Sequence, residues 1–136
     1  MRRYITLGVM DVGPPMRVLA TRVFSRFAKS ERISHGSLRE AVDRAGRGLV
    51  DADLGGGLIK QRVARPGQGR SRGYRTVIAV RQDDKAVFLY GFAKSERDNI
   101  SAADLARLKK LAALYLGATS DDLGRWCKSG ELEEVE

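Results

Sequence analysis

Apolar positions change period repeatedly along the chain. Residues 17–24, RVLATRVF, alternate through Val18, Ala20 and Arg22 until Val23 and Phe24 break the rhythm, which predicts a first strand. Phe24, Phe27, Ala28 and Ile33 then share one helical side. A second helix is expected over SLREAVDRAGRGLVDA, with Ser37 and Glu40 spaced as a capping box and Leu38, Ala41, Val42, Ala45 and Leu49 forming its apolar stripe. The glycines at 55–57 break that helix. Three strands follow. LIKQRVA puts Leu58, Lys60 and Arg62 on one face and Ile59, Gln61 and Val63 on the other. YRTVIAVR puts Tyr74, Thr76, Ile78 and Val80 on one face and Arg75, Val77 and Ala79 on the other. After a hairpin turn at Asp83–Asp84, KAVFLYGFA is apolar almost throughout, as in a central strand buried on both faces.

Helical periodicity then returns. Ser101 and Asp104 cap a helix striped by Leu105, Leu108, Leu111, Ala112 and Tyr115, which Gly117 ends. Thr119 with Asp122 opens a shorter helix, and the chain closes on ELEEVE. The expected architecture is α+β: a small antiparallel sheet, made of the N-terminal strand and a three-strand meander, packed with two N-terminal helices and a C-terminal helix. Residues 1–15 read as a flexible extension with Met16 opening the fold. Residues 16–117 read as the domain, and residues 118–136 as a short helix with an acidic tail.

With 136 residues the chain is sized for one domain. Its formal net charge of +8 is unevenly spread: residues 58–97 carry ten basic and three acidic groups, while residues 98–136 carry five and eight. A localised basic footprint points to a polyanion or an acidic protein as partner. The acidic tail, residues 131–136, is a candidate internal shield folded back over it. One cysteine, Cys127, and one histidine, His35, exclude an intrachain disulfide and a Cys/His zinc site, and fit a reducing cytoplasm. No apolar run is long enough for a membrane helix, so no membrane partner is expected. No GxxxxGK[ST] surrounds the glycines at 55–57, which read as a turn and not as a phosphate loop.

Between Lys60 and Arg75 lie six basic side chains and no acidic one. Lys60 and Arg62 stand one strand period apart on a shared face, ~7 Å from each other. Arg65, Arg70 and Arg72 fall in a Gly/Pro-rich loop, suited to gripping an RNA backbone. Cutting RNA without a metal requires a base for the 2′-hydroxyl, cations for the pentacoordinate phosphate and an acid for the leaving 5′-oxygen. Guanidiniums suit the second task because they grip phosphate oxygens in a bidentate way. Lysine serves the first when neighbouring cations crowd it. Arg75 has a bland alternative as the ion-pair partner of Glu96 or Asp98. Tyr74 and Tyr90 have one as core or rim. His35 reads as a helix-start residue, Trp126 as a packing anchor and Cys127 as a half-buried apolar residue.

LIKQRVARPGQGRSRGYRTVIAV followed by VFLYGFAKSERDNI resembles the RelE/ParE superfamily of toxin–antitoxin toxins, on its RelE branch. The resemblance spans roughly residues 17–115 and rests on a basic strand, a GYR triplet and an AKSERDNI segment in that order. It implies a ribosome-dependent endoribonuclease that cuts mRNA without a cofactor, with the ribosome, mRNA and a cognate antitoxin as partners. Carried over, it makes Lys60, Arg62, Arg75, Lys94 and Arg97 the catalytic candidates. Arg62 and Arg75 would hold the scissile phosphate, Lys60 would act as base or charge stabiliser, and Lys94 or Arg97 would complete the site. Arg65, Arg70, Arg72 and Tyr74 are the RNA-binding candidates. The best-studied pattern has an arginine where Ser95 stands, and a tyrosine near Ile100 and Ser101. The general acid is therefore open among Arg97, Lys94 and Tyr90. Alternatives on the same fold are a ParE-like gyrase inhibitor and a catalytically inactive nucleic-acid-binding or regulatory domain.

Overall fold

The structure is a computed structural model that describes residues 16–65, 69–93 and 100–136, the side chains of 69–72 excepted. Its elements are β1 (Arg17–Thr21), α1 (Arg22–Ser30), α2 (His35–Gly46), β2 (Ala52–Gly55), β3 (Leu58–Arg65), β4 (Gly69–Arg81), β5 (Lys85–Ala93), α3 (Ala102–Leu116), α4 (Ser120–Ser129) and β6 (Leu132–Glu134). The strands form one six-stranded sheet in the order β2-β3-β4-β5-β1-β6. All neighbours are antiparallel except β1 and β5, which run parallel because α1, α2 and the β2–β4 meander lie between them in the chain. The fold is α+β, as expected, with two strands beyond the expected four.

The sheet separates two apolar layers. On one face Val18, Ala20, Ile59, Val63, Tyr74, Ile78 and Phe88 pack under α1 and α2. On the other Leu19, Leu58, Val77, Ala79, Val87 and Leu89 pack under α3 and α4. The strand faces read from the sequence hold over residues 58–63 of β3 and 74–80 of β4. The continuous apolar run in β5 has the expected cause: β5 lies inside the sheet, and Val87 and Phe88 are fully buried on opposite faces.

Several boundaries differ from expectation, each for a local reason. β1 stops at Thr21, whose hydroxyl accepts the Phe24 N–H and caps α1, so Val23 and Phe24 are helical. The cap of α2 is Ser34 and not Ser37; the Ser34 hydroxyl accepts the Ser37 N–H. That helix ends at Gly46, which leaves Leu49 outside the stripe and 57% exposed. Gly55, Gly56 and Gly57 all have positive φ, and the turn they form closes a β2–β3 hairpin that was not foreseen. The capping box of Thr119 and Asp122 on α4 is present as read.

The C-terminal tail is a correction. Residues 131–136 do not cover the basic face. They supply β6, which pairs with the far side of β1 and buries Leu132 and Val135. The acids of β6 are used there, Glu134 with Arg17 and Glu133 with Lys29. Three strands separate β6 from β3, ~19 Å at ordinary strand spacing. His35 at the start of α2 helps to hold the tail by accepting the Glu136 N–H on Nδ1, and Arg39 donates to the Val135 carbonyl.

Lys85, 4% exposed, ties the sheet to the opposite helix layer. Its ammonium donates to the carbonyls of Tyr115 and Ala118 at the end of α3, where the Tyr115 carbonyl also accepts the Ala118 N–H. Lys85→Ala is expected to lower stability by about 1–3 kcal/mol, read as a shift in the urea midpoint, because these carbonyls lose a charged donor.

Candidate functional site

The cations of the middle region are arranged by strand register. Arg62 on β3 and Arg75 on β4 are direct cross-strand partners, and Lys60 stands opposite Val77 one period away on the same face. On β5, Phe92 is opposite Arg75 and Tyr90 is opposite Val77. Two parallel rows therefore cross the sheet: Lys60–Val77–Tyr90 and Arg62–Arg75–Phe92. This is the α3/α4 face, beyond the cover given by Leu108 and Ala112.

A bulge in β5 creates that arrangement. The register steps from Ile78↔Phe88 to Val77↔Tyr90, so Leu89 is an extra residue in its strand. Past it the parity inverts: Tyr90 and Phe92 join the cationic face, with ring centroids 5.8 Å apart, and Gly91 turns to the α1 face. There a Cβ on Gly91 would lie 2.5 Å from the Phe27 ring, so only glycine lets α1 approach.

Like charges directly opposite on a sheet are destabilising, so the Arg62–Arg75 pair is costly unless something anionic lies between them. The two guanidiniums differ in surroundings. Arg62 is exposed and Arg75 half-buried. Nη1 of Arg75 is buried with no hydrogen-bond partner among the described residues. A guanidinium nitrogen held in this way is a donor awaiting an acceptor.

The backbone of Arg62 is gripped from the other side. β2 pairs with β3 only as far as Ala52↔Lys60, and among the described residues no strand pairs with the β3 edge from there on. The Arg62 N–H donates to Oδ2 of Asp51 at 2.7 Å, and the Arg62 carbonyl accepts from Nη2 of Arg44. Arg44 is itself buried and held by Glu40 at 2.8 Å. Since both backbone groups of Arg62 point away from β4, Arg62 and Arg75 form a non-hydrogen-bonded pair, the geometry that brings opposed side chains closest. Gln61, fully buried, braces the same corner: its amide donates to the Ala41 and Leu49 carbonyls and its oxygen accepts the Asp51 N–H.

Of the residues expected in the site, Lys60, Arg62 and Arg75 come together on one face. Arg65 and Tyr74 do not join them. Tyr74 is 2% exposed on the opposite, α1 face, where its hydroxyl donates to Glu31 at 2.9 Å and its ring meets Phe27 edge-on. Arg65 lies over that ring, 5.1 Å from its centroid, and approaches Glu31. Lys94 and Arg97, the acids Glu96 and Asp98, and the extension 1–15 lie outside the described residues, as do the side chains of Arg70 and Arg72. Trp126 packs edge-on against Tyr115, as an anchor should. The Cys127 thiol is pushed up from its ordinary pKa by burial and by Glu134, which makes it a weak nucleophile at neutral pH. Sequence reasoning passed over Arg44 and Asp51. Glu40 and Arg44 have the spacing of an ordinary surface ion pair, and nothing local reveals that Arg44 is buried.

The sheet thus presents opposed guanidiniums and a lysine flanked by aromatic rings, a concentrated cationic face on an α+β fold. Residues 16–135 match the family described as RelE toxin of RelE / RelB toxin-antitoxin system, and the chain belongs to that family. It is thus a toxin whose partner is an antitoxin. No curated protein matches the chain. Among the described residues, no helix is long and apolar enough to cross a membrane.

Proposed function

We propose that this toxin is a ribosome-dependent, metal-independent endoribonuclease that cuts mRNA in the cytoplasm. The observation that carries the reading is the Arg62–Arg75 pair, with Nη1 of Arg75 buried and unpartnered among the described residues. A phosphodiester between the two guanidiniums would supply the missing acceptor and offset their repulsion. In the proposed reaction the 2′-oxygen attacks phosphorus, its proton passes to a base, and the 5′-oxygen leaves with a proton from an acid. A 2′,3′-cyclic phosphate and a 5′-hydroxyl result. Lys60, one period from Arg62, takes the proton of the 2′-hydroxyl or stabilises the charge on the phosphate. Arg62 and Arg75 hold the non-bridging oxygens. Lys94 and Arg97 are proposed to complete the site, with Tyr90, on the Lys60 row, as the alternative acid. Arg70 and Arg72 are proposed to grip the RNA backbone.

The test is the purified chain added to translating ribosomes, with transcript ends mapped afterwards. New 5′-hydroxyl ends within the reading frame, absent from free mRNA, are expected. Intact mRNA together with a DNA-damage response on induction in cells would instead indicate a gyrase-directed toxin. Salt-dependent RNA binding with no cleavage would indicate an inactive binding domain.

A further inference from the structure

We infer that Arg44 and Asp51 are positioning residues that stand in for a missing strand and set Arg62 against Arg75. The inference rests on the nuclease reading and adds to it the device that holds the phosphate grip together. Past Lys60, β3 has no strand neighbour on its outer side among the described residues, because β2 pairs no further. An unpaired strand edge frays and twists readily. The edge here also carries a cation that is repelled by the one opposite. Two side chains close it instead. The Asp51 carboxylate takes the Arg62 N–H and the Arg44 guanidinium takes the Arg62 carbonyl, replacing the acceptor and donor that another strand would offer.

Each half of the clamp is itself anchored. Arg44 is fixed by Glu40 and by its burial in α2, and Asp51 by the bond from its N–H to Gln61. The clamp therefore refers the position of Arg62 to α2 through Arg44 and to the α2–β2 connection through Asp51. With charge-assisted bonds at both backbone groups, the Arg62 side chain leaves the sheet in one direction, toward Arg75.

The experiment compares Asp51→Asn with Asp51→Ala. The two variants carry the same charge and differ in whether an acceptor remains for the Arg62 N–H. Single-turnover cleavage on translating ribosomes is expected to fall at least tenfold, per folded molecule, in Asp51→Ala and to stay within about threefold of wild type in Asp51→Asn. Removing a carboxylate beside a cationic site would by electrostatics alone favour RNA, so a loss of rate has the sign that positioning requires. Backbone amide exchange followed by NMR should show the Arg62 N–H protected in wild type and Asp51→Asn, and exposed in Asp51→Ala. In an Arg62→Ala background, Asp51→Ala should cause no further loss. Equal cleavage per folded molecule in Asp51→Ala and Asp51→Asn overturns the inference. So does an Asp51→Ala loss of the same size with and without Arg62. If the wild type itself cuts nothing, the nuclease reading fails, and the clamp is judged on the affinity for a ten-nucleotide single-stranded RNA. Weaker binding in Asp51→Ala than in Asp51→Asn upholds it, and equal binding overturns it.

Discussion

Arg62→Ala and Arg75→Ala are each expected to lower mRNA cleavage by about 10²–10³-fold, the usual cost of removing one preorganised donor from a developing anion. Growth arrest on induction without antitoxin should disappear in both. Stability should not fall in parallel. Arg62 is exposed, so its truncation removes little packing, and losing either cation relieves the repulsion between direct cross-strand partners. Removal of Arg75 also deletes a buried donor that has no partner among the described residues. The urea midpoint of Arg62→Ala should therefore match or exceed that of wild type while cleavage collapses. The double variant should lose little more than either single one, because two groups that grip one phosphate act as a unit. Arg75→Lys should recover only part of the rate, since an ammonium cannot present the bidentate fork. Undiminished arrest in both alanine variants, with the proteins shown to be folded, would remove the pair from the site.

Deleting residues 131–136 is expected to unfold most of the protein and to weaken the growth arrest. The deletion takes away β6 and re-exposes the surface now covered by Leu132 and Val135, at about 1.5–3 kcal/mol for each buried side chain. It also removes the Arg17–Glu134 pair and the bonds from Arg39 and His35 to the chain end. Against a total stability of about 5–15 kcal/mol, that loss is a large share. Circular dichroism and a urea titration of the truncated chain read it directly. A tail that shielded the basic face would give the opposite result, a folded and more toxic protein. A softer version of the test is Leu132→Ala, which should cost about 2–5 kcal/mol through the cavity it leaves between β6, β1 and α4.

Within single elements, much of this molecule was legible beforehand. The alternation assigned residues 58–63 of β3 and 74–80 of β4 to their correct faces, because side-chain parity along a regular strand follows from the backbone alone. The apolar continuity of β5 announced a strand buried on both sides. Local hydrogen bonds announced the caps at Thr119 and Ser101. Where a cap was misplaced, as at Ser34 against Ser37, two serines three residues apart offered the same chemistry, and only the packing of α2 chose between them. The grouping of Lys60 with Arg62 was likewise present in the spacing.

Other features had no local signature. That Arg62 faces Arg75, and not one of its neighbours, depends on the register between two strands. The buried Gln61 and the Thr76 hydroxyl, which donates to the Gln61 carbonyl, help to fix it. The shift of Tyr90 and Phe92 to the cationic face depends on one extra residue in β5. Period-two counting carries such an insertion straight past, because a bulge is defined by the partner strand. The clamp of Arg44 and Asp51 exists because β2 ends early, so a helix and a loop must satisfy an edge that no strand reaches. The tail, which by charge alone belonged over the basic face, went to β1, where burial of Leu132 and Val135 outweighs a screened attraction between exposed charges. The sequence by itself therefore determined most of the elements and the cations that share a strand face, which follow from local spacing, while its motifs carried the resemblance to the family. The opposed guanidiniums, the aromatic neighbours and the grip on Arg62 were decided only when distant strands paired, since register and edge satisfaction belong to the sheet and not to any one of its strands.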